Sequence, residues 1–166
     1  MRESILPLSL FVTALFLGCK PETRSAAPNP VQWTVTDSAG VLHPGSVTSM
    51  RLTAAIDSGW YIYALTQKTG GPTAMTISVA PSPPFSIAGN VSGPEPVVIF
   101  DKEFGIETER YEGKPAFAVP VAVGSTPGTG AQALDIKVRY QACNASFCLP
   151  ARTTVLSTPA RVEDRT

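Results

Sequence analysis

The sequence is short of charge. Only 16% of its 166 residues are Asp, Glu, Lys or Arg, and 13 acidic side chains balance 13 basic ones. No run of like charge stands out, so a basic face for nucleic acid has no support. It holds one histidine, His43, set between Val41-Leu42 and Pro44-Gly45, which reads as a turn residue rather than a catalytic base. No Ser-His-Asp order, phosphate-cradling loop or credible carboxylate pair is present, and no cofactor is called for. Long apolar runs are lacking too. The stretch over residues 5–17 falls short of the roughly 20 residues that a spanning helix needs. Cysteine is scarce, at three residues.

Proline and glycine are plentiful, at 16 and 13, and lie scattered between short apolar runs. That distribution suits short strands joined by turns and disfavours long helices. The apolar stretch at 5–17 has the length of a signal-peptide hydrophobic region. It ends in Leu15-Phe16-Leu17-Gly18-Cys19, which resembles a bacterial lipobox. Residues 1–18 are therefore expected to be a lipoprotein signal peptide and Cys19 the lipidated residue. Residues 20–30 are polar, proline-rich and without period, a tether. Assigning Cys19 to lipid resolves the odd cysteine count and leaves Cys143 and Cys148 as a pair in an oxidising compartment.

Alternation marks the strands. Val31, Trp33 and Val35 alternate with Gln32, Thr34 and Thr36, and Leu134, Ile136, Val138 and Tyr140 with Asp135, Lys137 and Arg139. Further strands are expected at 47–56, 60–65, 75–79, 85–88, 97–100, 116–123 and 153–156, with a frayed tail over 159–166. Eight or nine short strands without an amphipathic helix predict an all-β fold, an antiparallel two-sheet sandwich of immunoglobulin-like type. The Cys…Trp…Cys spacing of antibody domains is absent, so the pair is not an inter-sheet staple.

The cysteines sit in or beside a hairpin connection, Tyr140-Gln141-Ala142-Cys143-Asn144-Ala145-Ser146-Phe147-Cys148-Leu149-Pro150. Spacing alone leaves three readings open. An exposed dithiol could exchange disulfides. The pair could merely brace the loop, worth about 2 kcal/mol for so short a span. A metal site would need more ligands than two cysteines and a distant His43 supply.

The segment Tyr140-Gln141-x-Cys143…Cys148-Leu149-Pro150 resembles the active-site segment of the N-terminal periplasmic domain of the DsbD thiol:disulfide interchange family. Gly59-Trp60-Tyr61-Ile62-Tyr63 is similar to that family's aromatic strand and Gly70-Gly71-Pro72 to the turn after it. Phe100-Asp101-Lys102-Glu103-Phe104-Gly105, followed by Tyr111-Glu112-Gly113-Lys114, is similar to its cap-loop segment. The resemblance spans about 31–158. It implies an immunoglobulin-like redox domain whose catalytic pair is Cys143 and Cys148, with Cys148 forming the mixed disulfide and Cys143 resolving it. It implies a cap loop, Asp101, Lys102, Glu103, Phe104 and Gly105, that covers the disulfide until a partner docks. Tyr61, Tyr63, Tyr140, Gln141, Phe147 and Pro150 would line the site. Expected partners are thioredoxin-like domains, including disulfide isomerases or cytochrome-maturation thioredoxins, and a separate transmembrane electron carrier. The membrane would be met through lipid alone, on the periplasmic side. Four residues lie between the cysteines where five are familiar, Leu149-Pro150-Ala151 replaces an aromatic-Pro-Pro run, and Lys102 takes an acidic position of the cap. The expected organisation is a signal peptide at 1–18, lipidated Cys19 and tether over 19–30, the redox domain over 31–158 and a disordered tail over 159–166. The competing reading is a non-catalytic immunoglobulin-like adaptor whose disulfide is structural.

Overall fold

A computed structural model describes residues 28–36, 40–80, 83–126 and 128–164. The expected signal peptide, Cys19 and most of the tether lie outside the described residues.

Twelve strands follow one another: β1 (Val31–Val35), β2 (Val41–Leu42), β3 (Val47–Ile56), β4 (Tyr61–Tyr63), β5 (Thr76–Val79), β6 (Phe85–Ile87), β7 (Val97–Asp101), β8 (Ile106–Tyr111), β9 (Ala116–Val123), β10 (Gly130–Tyr140), β11 (Ala142–Cys143) and β12 (Arg152–Val162). No helix occurs among the described residues. The strands form three four-stranded sheets, ordered β1-β3-β9-β6, β2-β12-β10-β5 and β11-β4-β8-β7. All pairings are antiparallel except β12 with β2. The fold is the expected all-β, immunoglobulin-like sandwich, with a third sheet added at one end.

Period-two patterning builds the core, because successive side chains of a strand point to opposite faces. Met50, Leu52, Ala54 and Ile56 of β3 are buried, as are Phe117, Val119, Val121 and Val123 of β9. Leu134, Ile136, Val138 and Tyr140 of β10 face them from the second sheet. Each fully buried large aliphatic contributes about 1.5–3 kcal/mol, so these three strands dominate the stability. Trp33 joins the sheets to the site end, with its ring 6.1 Å from Phe117 and 5.4 Å from Tyr140.

Three features differ from the sequence pattern. The third sheet is one; its strands β4 and β11 are three and two residues long, too short to show a period. Strand β8, Ile-Glu-Thr-Glu-Arg-Tyr, is another: its charged residues disguised it as loop. The third corrects the expected tail. Strand β12 continues to Val162, and Ala160 and Val162 are buried. Pro159 is tolerated there because β2 reaches only Arg161 and Val162, which leaves the outer side of β12 open at the proline.

Candidate functional site

The third sheet places the cysteines. Cys143 of β11 pairs with Tyr61 of β4, Tyr63 of β4 pairs with Arg110 of β8, and Ile99 of β7 pairs with Thr108. Partners across a sheet share a face, so Cys143, Tyr61, Tyr63, Arg110 and Thr108 stand on one side. The opposite face turns Ala142, Ile62 and Tyr111 into the core. The sandwich thus holds the sheet by its apolar side and frees its other side for chemistry.

Cys143 and Cys148 are joined as a disulfide with Cα atoms 4.0 Å apart. The intervening loop is a closed hairpin. The Asn144 N–H donates to the Phe147 carbonyl at 3.0 Å, and the Leu149 N–H to the Ala142 carbonyl at 2.8 Å. The Asn144 side-chain oxygen accepts from the Ser146 and Phe147 N–H groups at 2.8 and 3.0 Å, an Asx turn of the kind a short polar side chain favours. Gln141 Nε2 donates to the Leu149 carbonyl at 3.1 Å and ties the far side of the loop to the strand. The two sulfur-bearing residues end in opposite environments. Cys143 is wholly buried, at 0% exposure, whereas Cys148 is exposed.

A cleft of about 630 Å³ opens beside Cys148. One wall is the hairpin 144–148, the floor is Tyr61, Tyr63, Thr108 and Arg110, and the other wall is the turn joining β7 to β8. That turn carries the expected cap residues. Asp101 organises it: Oδ1 accepts from the Glu103 N–H at 3.0 Å, its carbonyl accepts from the Gly105 N–H at 2.8 Å, and Oδ2 accepts from the Tyr63 hydroxyl at 3.2 Å. Gly105 has φ 68°, a left-handed conformation that glycine adopts without penalty. Burial, the Tyr61 hydroxyl and the Asp101 carboxylate all push the Tyr63 phenol far above its ordinary range, so it stays a neutral donor.

Phe104 lies edge-on to Tyr63, ring centroids 6.3 Å apart, and Tyr61 packs edge-on to Tyr63 at 5.6 Å. Phe104 is 41% exposed, and Cys148 remains exposed across the cleft. The cap ring therefore rests on the tyrosine floor and lines the same cleft as Cys148. Of the expected lining residues, the fold gathers Tyr61, Tyr63, Gln141, Phe147 and cap positions 101–104 around the cleft. Tyr140 is instead a core residue against Trp33, and Pro150 stands exposed outside the cleft.

Three contributors were not anticipated. Asn144 shapes the loop. Trp60 packs edge-on to Phe147 at 5.6 Å and buttresses it. Arg110 places its guanidinium 4.4 Å from the Tyr61 ring centroid and pairs with Glu112 at 2.7 Å. Asn-x-Ser after a strand is a legible turn signal; the other two depend on contacts between distant segments. Among the described residues no group of three His, Cys, Asp or Glu side chains is placed to hold a metal.

Residues 31–160 match the family model described as "Thiol:disulfide interchange protein DsbD, N-terminal". No curated protein matches the chain. Among solved structures, the Neisseria meningitidis DsbD N-terminal domain in its reduced form is similar at 17% identity and TM-score 0.48, over 68% of this chain and 78% of that one. The N-terminal periplasmic domain of ScsB from Proteus mirabilis is similar at 20% identity and TM-score 0.46, over 78% of this chain and 44% of that one. The family model covers nearly all of the described sandwich and both cysteines, and on that match the chain belongs to the DsbD N-terminal domain family, which works in thiol–disulfide exchange.

Proposed function

We propose that this chain is an exported, lipid-anchored protein-disulfide reductase that relays electrons through Cys143 and Cys148. The observation that carries the reading is the asymmetry of the pair. A disulfide that only braces a loop gains nothing from presenting one sulfur-bearing residue to a cleft. Exchange requires an accessible sulfur, and burying the other directs attack to the exposed one. Cys148 is exposed beside Phe147, itself 51% exposed, so an apolar ring flanks the point of attack. Cys143 is buried on a strand and suits the resolving role.

The donor is a membrane-embedded or thioredoxin-like dithiol carrier and the acceptors are exported protein disulfides, including those of thioredoxin-like proteins, with cytochrome maturation and disulfide correction as candidate pathways. The first described residues fix which end of the domain such an anchor would meet. The Pro30 carbonyl accepts from the Asp57 N–H at 2.9 Å, and Asn29 Oδ1 accepts from Arg152 at 2.6 Å. Asp57 leads into Trp60 and Tyr61, and Arg152 lies opposite Tyr140. The chain therefore enters the domain at its cysteine end. The nine residues after Cys19 reach at most roughly 30 Å when extended, which keeps the site near the membrane.

The test is the reduction potential of the pair. A working disulfide lies in the range of known thiol–disulfide carriers, about −120 to −270 mV, whereas a structural one lies below about −300 mV. The first value supports the relay; the second supports the adaptor with a structural staple. Acyl mass on Cys19, and release of Cys19→Ser from membranes, test the anchor separately.

A further inference from the structure

Reduction of the pair passes through an anion. A partner thiolate attacks Cys148 Sγ, the S–S bond breaks, and its electron pair leaves on Cys143 Sγ. The partner sulfur is then bonded to Cys148, and Cys143 is a thiolate. A second thiolate of the partner dithiol attacks that mixed disulfide and releases Cys148 as a thiolate. The partner ends as a disulfide, the pair has gained two electrons, and both thiolates take protons from solvent. The first anion forms on a side chain that is 0% exposed. A buried thiolate is disfavoured unless positive charge faces it, and a poor leaving group slows exchange.

We propose that Arg110 supplies that charge and sets how readily Cys143 leaves, an inference that rests on the redox reading of the pair. Cys143 pairs with Tyr61 on β4, and Arg110 pairs with Tyr63 two residues along the same face. The guanidinium lies over the Tyr61 ring, 4.4 Å from its centroid, and so on the side of its strand where β4 and, beyond it, β11 are paired. Tyr61 is the spacer: its ring holds the cation by its face and its backbone holds Cys143. Arg110 Nε is buried with no hydrogen-bond partner. That orphaned donor is costly, and an apolar side chain would pack there without it, so packing alone does not account for an arginine.

The other charged groups around the cleft are Asp101, Lys102 and Glu103, all on the cap turn across from the hairpin. Among the residues lining the cleft, Arg110 and Lys102 are the two cations, and Lys102 is exposed on the turn. Glu112 partly offsets Arg110 through their 2.7 Å ion pair and is itself half-exposed. The carboxylate therefore works against the thiolate while the guanidinium works for it.

This opposition supplies the test. Arg110→Met should slow reduction of the oxidised protein by dithiothreitol about three- to tenfold, as expected for losing one charge near an anion formed at a buried position. Glu112→Gln should speed it about twofold, and Arg110→Lys should recover most of the wild-type rate. The thiolate absorbance of Cys148→Ser, which isolates Cys143, should titrate higher with Arg110→Met added and lower with Glu112→Gln added. A merely structural ion pair predicts that both substitutions shift rate and melting temperature in the same direction. That result, or an unchanged Cys143 titration, overturns the proposal. A reduction potential typical of structural disulfides would instead overturn the redox reading on which it rests, so the two failures are distinguishable.

Discussion

Strands β8 and β9 follow each other in the chain and differ in almost every physical respect. Strand β9 alternates buried Phe117, Val119, Val121 and Val123 with small outward residues. Strand β8 reads Ile-Glu-Thr-Glu-Arg-Tyr and gives the core only Tyr111, while Thr108 and Arg110 line the cleft. One belongs to the frame and the other to the floor of the site. The frame is fixed by apolar burial, which tolerates little change in volume. The site sheet is held by its core-facing side and by main-chain pairing, so its outer face is free to carry tyrosines, a cation and an open turn. Stability and chemistry are thereby separated onto different sheets, joined through Trp33, Tyr140 and Tyr111.

The sharpest way to break that comparison is to truncate one phenylalanine from each region. Phe117 is 1% exposed and packs edge-on to Tyr111 at 5.1 Å. Phe117→Ala should cost about 3–5 kcal/mol of stability, read as a fall in the denaturation midpoint. Phe104→Ala, at the cap, should cost less than about 1 kcal/mol. Its effect should appear in the chemistry, with reduction of the disulfide by a small thiol faster by about two- to fivefold as access widens. A large loss of stability from Phe104→Ala without a rate change would place the ring in the frame.

A smaller effect should appear in alkali. The folded state raises the Tyr63 phenol, mainly by burial, above its value of about 10 in the unfolded chain. The unfolded chain therefore loses this proton first. Below pH 10 the group adds no pH dependence, and as pH rises beyond 10 folding stability declines. Tyr63→Phe removes that contribution, so the variant should lose less stability than the wild type between about pH 10 and 12. Tyr111 is raised as well, by burial and then by Glu109, and supplies a background common to both proteins. Equal alkaline slopes would mean that Tyr63 ionises as freely as in the unfolded chain.

The frame was far more legible in the sequence than the floor. Strands 47–56 and 116–123 show their ends in the sequence because Met50, Leu52 and Phe117, Val119 alternate with smaller or polar residues. Strand β8 escaped because Glu107, Glu109 and Arg110 fall on a sheet with little depth behind it, where period two carries no hydrophobic signal. Two-residue strands such as β11 exist only through a partner distant in sequence, here Ile62 and Tyr61. The end of β12 was lost behind Pro159, a residue that a strand admits only where one side is unpaired. At the site, the cysteine pair, the aromatic strand and the cap turn were readable through family resemblance and local motif. Arg110 on Tyr61 and Trp60 on Phe147 were not, since no spacing in one chain reveals a contact between strands.

The claim that the pair is asymmetric by design, with Cys148 presented and Cys143 withheld, is tested most directly by trapping the intermediate. Each cysteine is changed singly to serine, the proteins are produced in cells with export intact, and extracts are run on a non-reducing gel and probed for this chain. Cys143→Ser retains the exposed sulfur and loses the resolving one, so it should accumulate a high-mass adduct that a reductant dissolves, while Cys148→Ser should accumulate little. The reverse pattern would contradict the assignment of roles, and the absence of an adduct from both variants would contradict the relay itself.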